Sequence, residues 1–375
     1  MRLSYGVNTP FLNSVSEIFE RWFPTPLLII PHSVGIDISD SSVKWLGLMP
    51  LPEHGYRVST YGSLDVPEGV VKGGVIHDVQ ALALVLKEVK KKIPGIIRAH
   101  AALPEEPAYV FSMRVPEHTS REQILRLIEF EFEGRVPIPP TAAVYDFDVI
   151  EEKGSEGVEI GVTVFPRDIA ESYAQAFAAA GLELFSLEIE ARSISRAIIG
   201  GIDEPITLVV DFGLARTGFA VVKCGIPIFT STVEIGGAGL TRALIEQLSF
   251  SDKEAEVFKN EKGLLSTDEN AKKAVETMKS SALMLAEEVG RHFHYWDTRR
   301  DEHGERMTPV GRVLIVGGSS NLKGLSDVIA MKVQAPTSRG NIWGNICSFD
   351  DYIPPIDRRV SLQFATAAGL ALRGL

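Results

Sequence analysis

Two segments of the chain repeat one pattern of hydrophobic and polar positions. In VGIDISDSSVKWLGL, which starts at residue 34, an apolar run carries Asp37 near its end, a polar turn follows, and a second apolar run begins. TLVVDFGLARTGFAVV, which starts at residue 207, places Asp211 at the same point before a turn that contains Gly213. Apolar runs on either side of turn residues predict a β-hairpin in each segment. The repetition predicts two related lobes with a cleft between them.

The rest of the pattern alternates between strands and helices, which indicates an α/β fold. Helical spacing predicts helices at residues 78–92, 120–134, 167–180, 191–199, 240–248, 252–260, 268–297, 324–331 and 361–372. Short apolar runs predict further strands at residues 56–64, 108–115, 144–151, 158–165, 184–189 and 312–316. Residues 11–23 also have helical spacing, which fits either a helix packed on its own domain or one that binds a partner or an interface.

These elements predict an N-terminal amphipathic segment, two lobes and an insert. The N-terminal segment covers residues 1–31. The first lobe takes residues 32–100 and 183–200, and the C-terminal helix at 355–375 completes it. A small α+β lobe at residues 101–182 is inserted into the first lobe, and residues 201–354 form the second lobe.

Composition argues against several classes of protein. The 375 residues are 45% hydrophobic and 23% charged, as in globular proteins with more than one core. The net charge of -11 argues against nucleic-acid binding, which needs clustered Lys and Arg. Two cysteines outside any CxxC pattern indicate a reducing compartment and no zinc site. No apolar run reaches the roughly 20 residues of a membrane span, and we find no motif of serine hydrolases, zinc proteases or P-loop enzymes.

The first hairpin turn carries groups that bind phosphates and metal ions. Asp37 supplies a carboxylate, Ser41 and Ser42 supply hydroxyls, and Lys44 supplies a cation. Asp and Ser are also common turn formers, so this segment alone fits an ordinary polar hairpin equally well.

Two further segments add to the same chemistry. The second hairpin offers the Asp211 carboxylate and the Thr217 hydroxyl around a turn that Gly213 permits. In VLIVGGSSNLKGLSDVIA, from residue 313, an apolar run ends at Gly317 and Gly318, which allow a ligand to approach the backbone. Each motif alone also fits a plain turn, but the ordered set favours a nucleotide site divided between two lobes.

Glu256 and Lys259 lie three residues apart on a predicted helix and therefore share a face. One interpretation is a ribose contact from the carboxylate with adenine packed along the lysine stem. The other is an exposed ion pair without a ligand.

The ordered motifs resemble those of the actin, Hsp70 and sugar-kinase superfamily. Within it, the chain is most similar to the PilM family, actin-like type IV pilus assembly proteins related to the cell-division protein FtsA. The similarity covers nearly all of residues 34–372 and includes IDISDSSVK, SREQILRLIEFEFEGRVPIP, VEIGGAGLTRALIEQL, AEVFKNEKG and VLIVGGSSNLKGL. It implies an α/β, actin-like (ribonuclease H-like) duplicated two-lobed fold, with the insert at 101–182 as the small lobe of PilM and FtsA.

The resemblance implies ATP or ADP with Mg in the cleft. Asp37 and Asp211 would hold the Mg through water. The residues around the phosphates would be Ser41, Ser42, Lys44, Asp211, Gly213 and Thr217, and those around the ribose and adenine Gly237, Glu256, Lys259, Gly317, Gly318 and Ser319.

Two departures from the family pattern would weaken nucleotide binding or change its metal dependence. After the Asp-Ile pair the family usually has Gly, where this chain has Ser39 and then Asp40. In the second loop, Leu214, Ala215 and Arg216 stand where more hydroxyls are expected.

The resemblance further implies a cytoplasmic protein at the inner face of the plasma membrane, with only peripheral membrane contact. Its partner would be the N-terminal cytoplasmic peptide of a PilN-like protein, bound in a groove between the insert and the first lobe. Other pilus platform proteins, the assembly ATPase and a second copy of the chain are further implied partners. Because nothing in the sequence resembles a positioned general base, we expect no catalytic residue, at most weak ATPase activity, and a nucleotide that acts mainly as a conformational ligand.

Two alternatives remain at this point. An FtsA-like, membrane-associated, filament-forming division protein would share the fold, but FtsA carries a C-terminal amphipathic helix and this sequence ends in ALRGL without one. A small-molecule kinase of the same superfamily would need a catalytic Asp that we do not find in the sequence.

Overall fold

The computed structural model describes residues 32–52, 54–154, 157–201, 204–267, 269–300, 306–373 and 375. The predicted amphipathic segment at 1–31 lies outside these residues. In chain order, strands β1 to β15 are Ser33–Ile38, Ser42–Pro50, Tyr56–Asp65, Val71–Lys72, Val75–Ile76, Arg98–Leu103, Tyr109–Val115, Ala143–Gly154, Gly157–Pro166, Glu183–Ile189, Thr207–Phe212, Thr217–Lys223, Ile226–Val233, Arg312–Val316 and Thr337–Arg339. Helices α1 to α10 are Val79–Lys92, Arg121–Arg135, Arg167–Ala180, Glu190–Ile198, Gly237–Leu248, Asp252–Glu261, Lys272–Thr298, Leu325–Val333, Arg358–Ser361 and Ala365–Arg373.

Two five-stranded sheets with the same topology form the two lobes. The strand order is β3-β2-β1-β6-β10 in the first sheet and β13-β12-β11-β14-β15 in the second. In each sheet the hairpin strands are antiparallel and the two strands on the other side are parallel to the first. The register pairs Asp37 with Lys44 in one hairpin and Asp211 with Gly218 in the other. The duplication predicted from the hydrophobic pattern is therefore present in the backbone.

The C-terminal helix α10 packs into the first lobe, between β1 and α4. Its alanines lie in the same apolar core as Trp45, Phe177 and Trp343. Glycines allow the close packing, since a Cβ on Gly35 would lie 2.1 Å from a carbonyl oxygen of α10, and one on Gly369 would lie 1.7 Å from a carbonyl oxygen of α4. The helix thus closes the core under the first hairpin.

The insert is a three-stranded antiparallel sheet, ordered β7-β9-β8, with α2 packed across it. Ser120 and Gln123 form a capping box at the start of α2, where the sequence predicts a helix start. Ile128 and Phe132 of α2 are buried against Ile160 in a core separate from those of the lobes.

The predicted boundaries of the insert, 101–182, are too wide at both ends. Strand β6 pairs with β1, so it belongs to the first sheet. Helix α3 contributes Tyr173 and Phe177 to the first core, and Lys90 Nζ of α1 donates to the Gly181 carbonyl after α3 at 2.6 Å. Periodicity predicts α3 but not the lobe that it joins, and it does not predict β6. The insert is therefore limited to residues 109–166.

The second lobe is built around α7, which packs against α5 and α8. The helix begins at Lys272, because Glu269–Ala271 form a 3-10 turn where a continuous helix from 268 is predicted. Met278, Leu285 and Val289 lie on its buried face. Of the helices in the described part of the chain, none combines the length and the apolar character that crossing a membrane requires.

Candidate functional site

The β1–β2 and β11–β12 turns face a common cleft between the lobes. The cleft encloses ≈ 360 Å³. The predicted site residues that line it are Asp37, Ser41, Ser42, Lys44, Asp211, Gly213, Glu256, Gly317, Gly318 and Ser319. Side chains from two halves of the duplication thus converge although they are far apart in the chain.

Side-chain hydroxyls close the β1–β2 turn. Ser39 Oγ donates to the Ser42 carbonyl at 3.0 Å and accepts from the Ser42 amide at 3.2 Å. Lys44 Nζ donates to Ser42 Oγ at 2.9 Å and lies 3.9 Å from Asp37 Oδ2. The backbone at Ser39 is not left-handed, so a side chain replaces the usual glycine there without strain. Ser41 is exposed and lines the cleft.

The Gly213 carbonyl joins three segments of the second lobe. It accepts from the Gly237 amide at 3.0 Å and from Ser319 Oγ at 2.9 Å. The Gly213 amide donates to the Arg216 carbonyl at 3.0 Å, which closes the β11–β12 turn. A Cβ on Gly237 would lie 2.0 Å from Ser319 Oγ, so glycine is required for this approach. The β11–β12 turn is therefore fixed against the start of α5 and against the segment that contains Gly317 and Gly318.

Gly317 brings the backbone after β14 against Asp211. Its φ is 90°, and a Cβ there would lie 2.4 Å from Asp211 Oδ1. At Gly318 a Cβ would meet only Gln363, at 3.6 Å. The backbone at this point is open towards the cleft, as a turn that receives a ligand requires.

Glu256 lies at the rim of the cleft and is bound to Lys259. Lys259 Nζ donates to Glu256 Oε1 at 2.5 Å and to Thr241 Oγ1 at 2.6 Å. The Glu256 side chain is 50% exposed, whereas that of Lys259 is 6% exposed. The lysine charge is thus compensated before any ligand enters.

Glu105 and Glu190 form a buried carboxyl pair in the wall of the cleft. Glu105 also accepts a hydrogen bond from the Ala191 amide. Burial raises the pKa of Glu105 to about 7. Burial and then the neighbouring Glu105 charge raise the pKa of Glu190 well above its ordinary value. The pair therefore holds a proton near neutral pH.

Asp37 and Asp211 are close enough to affect each other. Burial raises the pKa of Asp37, and it raises the pKa of Asp211 to about 6 with a further contribution from the Asp37 charge. Two carboxylates that repel each other in a buried site favour a cation between them.

A second cavity lies between the insert and the first lobe. It encloses ≈ 110 Å³ and is bordered by β8 and β9 on one side and by β10 and α4 on the other. Its apolar lining residues are Leu103, Val144, Phe147, Phe165, Ala170, Leu187 and Ile189. Arg192 Nε donates to Asp148 Oδ2 at 2.9 Å across it, and Arg373 pairs with Glu188. We call this the groove.

A protein-family model described as type IV pilus assembly protein PilM matches residues 35–375. The chain belongs to the PilM family. A sequence search of curated proteins finds no match.

Solved structures show that this PilM-family chain has an actin-like fold. The structure of the PilM-PilN type IV pilus biogenesis complex matches with a TM-score of 0.74 and 20% identity over 91% of this chain and 98% of that one. The ethanolamine utilization protein EutJ from Carboxydothermus hydrogenoformans matches with a TM-score of 0.52 and 19% identity over 96% of each chain. MreB5 of Spiroplasma citri bound to AMPPNP matches with a TM-score of 0.50 and 11% identity over 91% of this chain and 95% of that one. The predicted fold class is confirmed.

Three of the residues assigned by resemblance to the PilM family do not line the cleft. Thr217 is fully buried and donates its hydroxyl to the Ile235 carbonyl at 2.5 Å. Gly237 lies behind the β11–β12 turn, and Lys259 lies behind Glu256. These three residues position the wall of the cleft rather than face its interior.

Sequence reasoning missed three carboxylates of the cleft: Glu105, Glu106 and Glu190. A signal was present, because Glu105 follows β6 and Glu190 follows β10, and both strands run parallel to β1. Carboxyl ends of parallel strands meet at one edge of a sheet, so these residues had to lie near Asp37. Glu105 thus adds to the cleft a buried carboxyl group with a pKa of about 7.

The cleft residues fit a Mg-nucleotide in which the metal keeps its water. Among the described residues, no three Asp, Glu, His or Cys side chains converge to bind a metal ion directly. Mg²⁺ commonly keeps several waters and takes one or two carboxylates together with phosphate oxygens. Asp37 and Asp211 match that requirement, and Gly318 leaves room for a ligand beside them.

Proposed function

We propose that the protein is a scaffold of a type IV pilus inner-membrane assembly platform, or of a related secretion or DNA-uptake machine. It binds the N-terminal cytoplasmic peptide of a PilN-like protein. The observation that carries the proposal is the groove, an apolar cavity at the junction of insert and first lobe in a chain of the PilM family. One solved structure with this fold is a complex of PilM with PilN.

The groove has the features of a site for an extended peptide. Strand β8 is an outer strand of the insert sheet and borders the groove, so one of its edges is not paired with β9. Val144 and Leu187, both partly buried, offer an apolar surface to an anchoring side chain, while the Arg192–Asp148 pair holds the walls together. Apolar pockets beside a sheet edge are a recurring means of peptide recognition.

Peptide binding tests this proposal directly. A synthetic peptide with the cytoplasmic N-terminal sequence of the PilN-like partner is titrated into the full chain by calorimetry. We expect Leu187→Ala to weaken binding at least about tenfold, because an apolar anchor loses its contact surface. The control is Phe185→Ala, which removes a partly exposed ring on β10 that does not line the groove. Equal affinities for the wild type and Leu187→Ala, or no binding to the wild type, would overturn the proposal.

The cleft is proposed to bind ATP or ADP with Mg as a conformational ligand. Asp37 and Asp211 would hold the hydrated metal, which neutralises phosphate charge. Ser41, Lys44 and the turn at Gly213 would contact the phosphates. The surfaces for the ribose and adenine are Glu256, Gly317, Gly318 and Ser319. A ligand that contacts both lobes stabilises their closure to the extent that it binds the closed state better.

Thermal melting with and without Mg-ATP tests the cleft. We expect saturating Mg-ATP to raise the melting temperature of the wild type, and Lys44→Met to reduce the rise, because its cation lies beside Asp37 and Ser42 in the cleft. Lys72→Met is the matched control, as Lys72 is exposed on β4. An unchanged melting temperature of the wild type at saturating Mg-ATP would refute nucleotide binding.

The location of the protein is part of the same proposal. Binding of the PilN-like peptide would place the chain at the cytoplasmic face of the inner membrane without membrane insertion of its own. Other platform proteins, the assembly ATPase and a second copy of the chain are further proposed partners. Any ATPase activity would be weak, because Glu105, the best-placed carboxyl group, is already hydrogen-bonded to Glu190 and Ala191.

A further inference from the structure

Arg216 connects the two lobes across the cleft. It lies on the β11–β12 turn of the second lobe, and its two terminal nitrogens point at carboxylates of the first lobe. Nη1 is 2.6 Å from Glu106 Oε1, and Nη2 is 3.3 Å from Asp40 Oδ1. A guanidinium that uses both prongs on separate carboxylates fixes its orientation as well as its charge.

Asp40 is held rigidly on the first-lobe side of this contact. Its Oδ2 accepts from the Gly73 amide and its Oδ1 from the Gly74 amide, each at 3.1 Å. The Gly74 carbonyl in turn accepts from the buried Tyr173 hydroxyl at 2.8 Å. The carboxylate is therefore attached to the β4–β5 turn and to α3, and it has little freedom to follow Arg216 if the lobes separate.

Arg216 is held equally well on the second-lobe side. Its carbonyl accepts from the Gly213 amide, and the Gly213 carbonyl is fixed by Gly237 and Ser319. Its side chain is only 21% exposed, and those of Asp40 and Glu106 are 30% and 28% exposed. Partial burial limits screening by salt, so the contact is stronger than an ion pair on an open surface.

The contact joins the two departures from the family pattern. Asp40 stands in the first turn and Arg216 in the second, and the two bind each other. The Asp40 carboxylate thus faces two amides and a guanidinium and is not an unpaired charge beside the phosphates.

We propose that Asp40, Arg216 and Glu106 form an interlobe latch that holds the cleft closed without nucleotide. The latch depends on the proposed function in one respect, because it takes the cleft to be the nucleotide site. A ligand shifts an equilibrium only as far as it prefers one of the two states, and it adds little when that state is already dominant. Nucleotide therefore stabilises a closed state that the latch already populates, and it changes the lobe separation of this chain very little.

The distance between the lobes tests the latch. Cysteines replace the exposed Glu68 of the first lobe and Lys253 of the second, in a chain whose Cys224 and Cys347 are replaced by serine, and spin labels report their separation. We expect one short distance in the nucleotide-free protein that Mg-ATP does not change.

Arg216→Ala should shift the open-to-closed ratio towards open by about 10- to 100-fold, because a charge-assisted hydrogen bond to Asp40 and an ion pair with Glu106 are lost. Glu106→Gln should give a smaller shift, and Arg216→Lys an intermediate one, since an ammonium cannot bind both carboxylates as a fork. Arg98→Ala is the control, because its partner Glu183 lies in the same lobe. Circular dichroism confirms that each variant is folded.

The outcomes separate the latch from nucleotide binding. If Arg216→Ala and Glu106→Gln show the distances of the wild type without nucleotide, the latch is refuted. A wild-type protein that is open without nucleotide and closes with Mg-ATP refutes the latch while supporting the nucleotide site. Failure of Mg-ATP to bind leaves the nucleotide-free comparison intact and overturns only the proposed ligand.

Discussion

Replacement of Glu105 by Gln should stabilise the protein above neutral pH. Gln has nearly the same shape and keeps a carbonyl oxygen for the Ala191 amide and a donor for Glu190. It removes only the negative charge that burial opposes. The variant therefore isolates the electrostatic contribution of one cleft carboxyl group.

The size of the effect follows from the pKa of Glu105. The folded protein keeps this proton up to about pH 7, whereas an unfolded Glu releases it near 4.5. The folded state thus binds more protons in this interval, and wild-type stability falls as pH rises from 4.5 to 7. The interval corresponds to about 3 kcal/mol. For a chain of 375 residues, that is about 4 °C in melting temperature.

Thermal melting of the wild type and Glu105→Gln at pH 5 and pH 8 measures the effect. The advantage of the variant should be about 4 °C larger at pH 8 than at pH 5. Glu68→Gln, at an exposed position, should show no such dependence. An advantage that is the same at both pH values would refute the assignment of a raised pKa to Glu105.

Two other substitutions test the framework of the sites. Gly317→Ala should cost about 2–4 kcal/mol of stability and lower nucleotide affinity, because its Cβ would press on Asp211. Gly69→Ala is the control. Gly69 has a φ of 85°, and a Cβ there would have no neighbour within 4 Å, so chemical denaturation should show a loss of about 1 kcal/mol of stability from strain alone. Arg192→Ala should lower the free energy of unfolding by about 2 kcal/mol and speed proteolysis of the insert. The reason is that Arg192 joins the insert to both lobes, since it also donates to the second-lobe carbonyl of Gly225 at 2.9 Å. Proteolysis of Arg192→Ala at the rate of the wild type would contradict that role.

Most helices and ten of the strands were accessible from the sequence because each has a local signal, but β4, β5, β6, β13 and β15 were not predicted. The Arg312–Val316 strand and the Arg167–Ala180 helix were predicted at their observed bounds. The limits of the insert were not, because they depend on the pairing of β6 with β1, a long-range contact without a local pattern.

The candidate site also has a part that the sequence predicts and a part that it does not. Asp37, Asp211 and Gly317 lie at turns that the apolar pattern itself marks, and they meet in the cleft. The roles of Thr217 and Lys259 depend on partners elsewhere in the chain, Ile235 and Thr241, and no spacing rule connects them. Only the structure shows that the Thr217 hydroxyl and the Lys259 ammonium already have hydrogen-bond partners within the protein.

Asp40 and Arg216 are separated by 176 positions but form a single contact between the equivalent hairpins of the two lobes. The charge of one turn is here balanced by the other turn rather than by a neighbouring position. The two residues should therefore occur together. Relatives without a carboxylate at the position of Asp40 should lack an arginine at the position of Arg216, and a family alignment in which the two positions vary independently would contradict this expectation.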